Sequence, residues 1–192
     1  MKKNVIFFDF FGVICSEIAP IWFERYFPAE KAAQIKHAVC SGGDLGLVSE
    51  EEMFSKISEF MSIPAEQIQA EWYGMAVINT ELVEYILELK KKHPIYLLSN
   101  AIGSFLHRIL EKNGLYWLFD RIFISSEMKK AKPDTEYFTS VLRELGVDAE
   151  QAVMIDDNGK NILGARTAGI DGIVFRNNEQ LKKELEVYFE AN

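Results

Sequence analysis

The sequence predicts an α/β fold: a doubly wound parallel sheet with a small helical unit inserted after the first strand. Five short apolar runs carry the sheet: "VIFF" (5–8), "IYLL" (95–98), "RIFI" (121–124), "AVMI" (152–155) and "GIVF" (172–175). They are nearly continuous in hydrophobicity rather than alternating, which is the pattern of parallel strands covered on both faces. Between the later runs lie stretches with apolar residues at three-and-four spacing, each closed by a glycine. Strands that alternate with such helices form right-handed βαβ units.

The individual elements follow from the same rules. "SFLHRILEKNG" places Phe105, Leu106, Ile109 and Leu110 on one face and stops at Gly114. "TEYFTSVLRELG" does so with Phe138, Val141, Leu142 and Leu145 and stops at Gly146, and "KNILGARTAG" ends at Gly169. Residues 16–80 carry no convincing strand. Ser49 and Glu52 make a capping box ahead of a stripe of Met53, Phe54, Ile57, Phe60 and Met61. The segment reads as roughly four helices. The expected division is a core domain of residues 1–15 and 81–192 and a helical cap domain of residues 16–80. An insertion at that point stands over the carboxyl ends of the strands, where open α/β sheets bind ligands.

Composition narrows the function classes. The 192 residues are 48% hydrophobic, enough for a full core, and the formal net charge is −8. An acidic chain lacks the electrostatic footprint for nucleic acid or an anionic membrane. Two cysteines, Cys15 and Cys40, make no disulfide framework. The basic start "MKKN" meets Asp9 too soon for a secretory apolar region, and no run reaches the length of a membrane span. A cytoplasmic monomer or homodimer acting on a small molecule is the expectation.

The polar residues at the strand ends carry the chemistry. The first run ends in Asp9, the second in Ser99-Asn100 and the fourth in Asp156-Asp157; the third leads to Lys132, just before Pro133. All would converge on one edge of the sheet. Three carboxylates there repel one another unless a cation joins them, and oxygen-only ligands favour a hard ion such as Mg²⁺. His37, His93 and His107 are scattered and lack zinc-ligand spacing. A lysine, a hydroxyl and carboxylates around Mg²⁺ suit a phosphoryl group, which a carboxylate can attack at phosphorus.

These stretches together resemble the haloacid dehalogenase-like hydrolase superfamily. "FFDFFGVI", "IYLLSN", "KKAKPD" and "VMIDDNGKNILGARTAGI" are similar to its four motifs, in order and each after a strand, and the match spans nearly the whole chain. The position of the insertion resembles the helical cap of the first type. The resemblance implies a Rossmann-like core. It also implies roles: Asp9 as nucleophile and Mg²⁺ ligand, Ser99 and Asn100 on the phosphoryl oxygens, Lys132 holding nucleophile and phosphoryl charge, and Asp156 and Asp157 as Mg²⁺ ligands.

The sequence departs from that pattern at Phe11, where most phosphatases of the family carry a second Asp that protonates the leaving group. Phenylalanine cannot do so, although its backbone carbonyl can still serve Mg²⁺. Phosphatases that lack the second Asp are the nearest pattern. The implied activity is Mg²⁺-dependent hydrolysis of a small phosphorylated metabolite, a sugar phosphate being one candidate, through an aspartyl phosphate on Asp9. A catalytically weak phospho-ligand binding protein and a 2-haloacid dehalogenase are the alternatives. The adjacent carboxylates of Asp156 and Asp157 weigh against the metal-free dehalogenase.

Overall fold

The computed structural model describes residues 4–190, so the basic start at Lys2 and Lys3 lies outside the described residues. Five strands, β1 (Val5–Phe8), β2 (Ile95–Ser99), β3 (Arg121–Ile124), β4 (Ala152–Asp156) and β5 (Asp171–Val174), form one sheet in the order β3-β2-β1-β4-β5. Every pairing is parallel. The chain steps outward from β1 to β3, then returns to the other side of β1 for β4. That reversal puts the topological switch point at β1 and β4, where a doubly wound sheet opens a crevice beyond its carboxyl ends.

The register fixes which side chains face which layer. Phe8 lies opposite Leu97 and Ile155. Alternate residues of β1 point to opposite faces. Ile6 and Phe8 join the core that includes Leu82 and Ile86 of α5 (Thr80–Lys90), Leu106 of α6 (Gly103–Lys112) and Leu181 of α10 (Asn178–Glu190). Val5 and Phe7 join the second core, with Tyr137 and Val141 of α8 (Thr135–Leu145) and Ile162 of α9 (Gly159–Thr167). The runs are continuously apolar because both faces are covered. Asn158 caps α9, its side chain accepting from Lys160 N at 3.0 Å.

Four helices lie between β1 and α5: α1 (Ala19–Glu24), α2 (Ala29–Asp44), α3 (Glu50–Met61) and α4 (Ala65–Gly74). The capping box at α3 is formed in both directions, Glu52 N to Ser49 Oγ and Ser49 N to Glu52 Oε2. Its stripe is narrower than the spacing predicts: Met53, Phe54 and Ile57 are buried, Met61 is half-buried, and Phe60 is exposed, its ring 6.1 Å from that of Phe27. The residue that fastens these helices to the sheet layer is Glu50. Its buried carboxylate accepts from Gln69 Nε2 (2.9 Å), Tyr73 Oη (2.8 Å) and Ser104 Oγ (2.5 Å), and Arg108 lies 3.9 Å away. Ser104 and Arg108 belong to α6, so one carboxylate spans two layers. A buried charge held this way is stabilising only while its partners remain.

Two glycines mark close approaches near the carboxyl ends of β1 and β4. Gly12 has φ +79°, and a Cβ there would run into the Asp157 carboxylate. A Cβ on Gly164 of α9 would collide with the Pro133 backbone. Gly164→Ala is therefore expected to lower stability by about 1–3 kcal/mol, the usual effect of overpacking. Urea unfolding of the variant checks this; an unchanged midpoint would contradict the contact.

Candidate active site

The carboxyl ends of β1 and β4 bring Asp9, Asp156 and Asp157 together, with Lys132 supplied by the loop after α7 (Ser125–Met128), while Ser99 ends β2 and is not among the residues that line the cavity. Lys132 is the centre of the group. Its Nζ lies 2.9 Å from Asp9 Oδ1 and 2.6 Å from Asp156 Oδ2, and donates to the Leu98 carbonyl at 2.8 Å. The loop that carries it is clamped by Asn100, whose side chain accepts from Lys132 N at 2.9 Å and donates to Lys132 O at 2.7 Å. The Asn100 amide thus positions the lysine, and the residue also lines the cavity. Lys129, at the end of α7, adopts φ +56° and reaches Gly46 O with its Nζ at 2.7 Å.

Burial and charge pull against each other here. Burial and the neighbouring Asp156 push the Asp9 carboxyl well above the ordinary range, and Lys132 draws it back. Burial would lower the Lys132 ammonium, but Asp156 and Asp9 outweigh it and the group is raised. Asp157 is exposed, yet partial burial and Asp156 still raise its carboxyl. One carboxylate oxygen from each of Asp9, Asp156 and Asp157 lies within 4.8 Å of the others. An oxygen-only set of three acids at that spacing fits a hard divalent cation such as Mg²⁺.

Ser99 is fully buried and its Oγ has no hydrogen-bond partner among the described residues. A buried hydroxyl left unpaired costs free energy, so a polar ligand atom is the natural complement. The loop that follows it is set by Ser125 Oγ, which accepts from Ala101 N at 3.0 Å, and Ser126 Oγ, which accepts from Gly103 N at 2.9 Å.

Sequence reasoning did not assign several residues that the fold brings in. Asn161 donates from Nδ2 to both oxygens of Asp156, at 3.1 and 3.0 Å, fixing the carboxylate's orientation. Its signal was its place one turn into α9, facing back over the strand end. A cavity of about 780 Å³ opens above the carboxylates. Glu17, Lys36 and Asp44 line it from the four-helix segment, and burial raises both Glu17 and Asp44 while Lys36 lowers both. Phe11 also lines it, stacked on Phe105 with ring centroids 6.1 Å apart. Among the aromatics of the four-helix segment, Trp22 and Phe23 are buried, Tyr26 is exposed, and Trp72 is buried and lines the cavity. Arg25 lies 3.7 Å from Glu71 and Arg166 donates to Gly172 O, so both guanidinium groups have partners away from the carboxylates. Cys15 is buried and its thiol is pushed up to about 11 by burial, which leaves it inert.

A protein-family model for haloacid dehalogenase-like hydrolases matches residues 3–169. The chain is 26% identical over 152 residues to drimenol cyclase of Aspergillus calidoustus, a match that takes in 75% of this chain and 29% of the cyclase. It is 24% identical over 132 residues to a sesquiterpene phosphatase of Aspergillus oryzae, 67% of each protein. A HAD family enzyme from Bacteroides thetaiotaomicron, solved in complex with magnesium and inorganic phosphate, superposes with a TM-score of 0.77 at 25% identity, over 93% of this chain and 98% of that one. No helix among the described residues is long and apolar enough to cross a membrane.

The crowding of acids has a measurable cost. A carboxyl whose folded pKa is raised destabilises the fold above that pKa, and the effect fades as pH falls and the group takes up a proton. Asp157→Asn is expected to stabilise the metal-free protein at neutral pH, by under about 1 kcal/mol because the residue is exposed. The gain should shrink in acid, and calorimetry across pH tests it; a variant less stable than wild type at neutral pH would contradict the repulsion.

Proposed function

The chain belongs to the haloacid dehalogenase-like hydrolases, and on that premise we propose that it is a Mg²⁺-dependent phosphatase that acts on a small phosphorylated metabolite through an aspartyl phosphate on Asp9. The observation that carries the proposal is the convergence of Asp9, Asp156 and Asp157 around the buried Lys132 ammonium. The magnesium and phosphate in the Bacteroides thetaiotaomicron neighbour and the phosphatase among the relatives support the same reading.

Each residue then has a task. Asp9, Asp156 and Asp157, with the Phe11 carbonyl, would hold Mg²⁺, which when bound neutralises phosphoryl oxygens. Ser99 Oγ donates to a phosphoryl oxygen and satisfies its own unpaired hydroxyl. Lys132 orients Asp9 and opposes the upward push of burial on its carboxyl, which favours the ionised form that attacks, because a neutral carboxyl is a poor nucleophile. The Asp9 oxygen attacks phosphorus, the ester P–O bond breaks, and its electron pair leaves on the alcohol oxygen. Water then attacks phosphorus, the bond from Asp9 to phosphorus breaks, and inorganic phosphate and the free carboxylate result. A phenylalanine at position 11 leaves the departing oxygen without a proton donor there. General acid catalysis contributes ~10²–10⁴-fold, most for strongly basic leaving groups.

Hydrolysis of p-nitrophenyl phosphate tests the proposal, since its phenolate needs little protonation. Turnover should require Mg²⁺, vanish with EDTA and fall to background in Asp9→Asn; turnover indifferent to Asp9 would refute the assignment. Phe11→Asp is expected to raise hydrolysis of alkyl phosphates by roughly ten-fold or more while changing aryl phosphates little, as restoring a general acid should. Equal gains on both would show that the missing acid is not the limitation.

A further inference from the structure

The cavity above the carboxylates has two unlike sides. One is apolar and drawn from five separate stretches: Phe11 after β1, Ile18 before α1, Met53 of α3, Trp72 of α4, and Ile102 and Phe105 at the start of α6. The rings make a continuous surface. Phe11 stacks on Phe105, and Phe105 lies 6.2 Å from Trp72, centroid to centroid. A single donor interrupts this side, the buried Trp72 Nε1–H, which has no acceptor among the described residues. One donor can serve one ligand oxygen, so this side offers less than the several hydroxyls of a sugar require.

The other side is charged, with Glu17, Asp44 and Lys36 among its lining. Burial raises both carboxyls, and Lys36 opposes that rise. The remaining cations that reach the cavity are Lys132, committed to Asp9 and Asp156, and His37 and Lys160, which are exposed. None is a buried cation without an acidic neighbour, as a second anionic group on the substrate would need.

Phe11 connects this lining to the chemistry. The same side chain that withholds a proton from the leaving group gives it an aromatic face. A leaving group that tolerates both is itself aromatic: its oxyanion is delocalised into the ring, and the ring packs on Phe11 and Phe105. We infer that the substrate class is an aryl phosphomonoester with no charge beyond its phosphate, the phosphate ester of an apolar phenol-like alcohol, seated against Phe11, Phe105 and Trp72. The inference rests on the phosphatase reading above and narrows it away from sugar phosphates.

Comparing kcat/KM values for the Mg²⁺-loaded wild-type protein tests it, with phenyl phosphate, 2-naphthyl phosphate, O-phosphotyrosine and glucose 6-phosphate as probes. Phenol and naphthol have similar acidity, so their ratio reads apolar contact. The fused ring should raise kcat/KM by about ten-fold, as burial of its added carbons implies. O-phosphotyrosine, whose ammonium and carboxylate find no partners, and glucose 6-phosphate should both fall below phenyl phosphate. Ile102→Ala, which shortens the apolar side without touching the carboxylates, should reduce the naphthyl-to-phenyl ratio by about three-fold or more. A ratio near one in wild type, or a preference for glucose 6-phosphate or O-phosphotyrosine, would overturn the inference and leave the phosphatase reading standing. Absence of Mg²⁺-dependent hydrolysis of p-nitrophenyl phosphate would instead remove the reading beneath it.

Discussion

The site depends on one buried ammonium group. Lys132 Nζ sits 2.9 Å from Asp9 and 2.6 Å from Asp156, where Asp156 is fully buried and Asp9 is nearly so, at the floor of the cavity. Without it, two carboxylates would face each other across the carboxyl ends of β1 and β4 in a medium that resists charge. With it, burial raises Asp9 but does not act unopposed, and the ammonium is itself held in the charged state by the pair. Much of the surrounding structure secures that position. Asn100 clamps the lysine's own backbone, Asn161 fixes the Asp156 carboxylate, and the absence of a side chain at Gly164 lets α9 close on the Pro133 loop. Losing the lysine is costly because the two buried acids are left uncompensated.

The group is a poor way to stabilise a fold and a good way to prepare a reaction. Removing one acid would relieve repulsion, yet three acids within 4.8 Å are what a divalent cation requires. The unpaired Ser99 hydroxyl shows the same preference for the bound state over the free one. Conflicts of this kind belong at functional sites, where local stability yields to preorganisation. The replacement of an acid by Phe11 extends this from the floor of the cavity to its side, joining the leaving group's chemistry to its shape.

Much of the fold could be read in the sequence because its signals are local. The five strands are apolar without alternation since both faces are covered, and each appears within a residue or so of its predicted run. Asp9, Ser99, Lys132 and the Asp156-Asp157 pair could be found because each directly follows a strand or its loop. What escaped depends on packing between distant segments. Phe60 keeps helical spacing but faces solvent, since only a narrow stripe of α3 meets its neighbours. Glu50 looks like one of three acids in the first turn of a helix; only the fold brings Ser104 and Arg108 to it. Nothing along the chain distinguishes Trp72, which lines the cavity, from Trp22, which does not, and nothing sets Lys36 beside Glu17 and Asp44. Asn100 was visible as a strand-end residue, but its clamp on Lys132 spans 32 positions.

The central claim is that the Asp9 carboxylate itself receives the phosphoryl group. Rapid acid quench of the Mg²⁺-loaded protein during turnover of an aryl phosphate, followed by peptide mass spectrometry, reads that bond directly. The account predicts a phosphoryl adduct on the peptide carrying Asp9, located to Asp9 by fragmentation and absent when Mg²⁺ is withheld. Steady product release with no adduct at Asp9, or with the adduct on another residue, would contradict it.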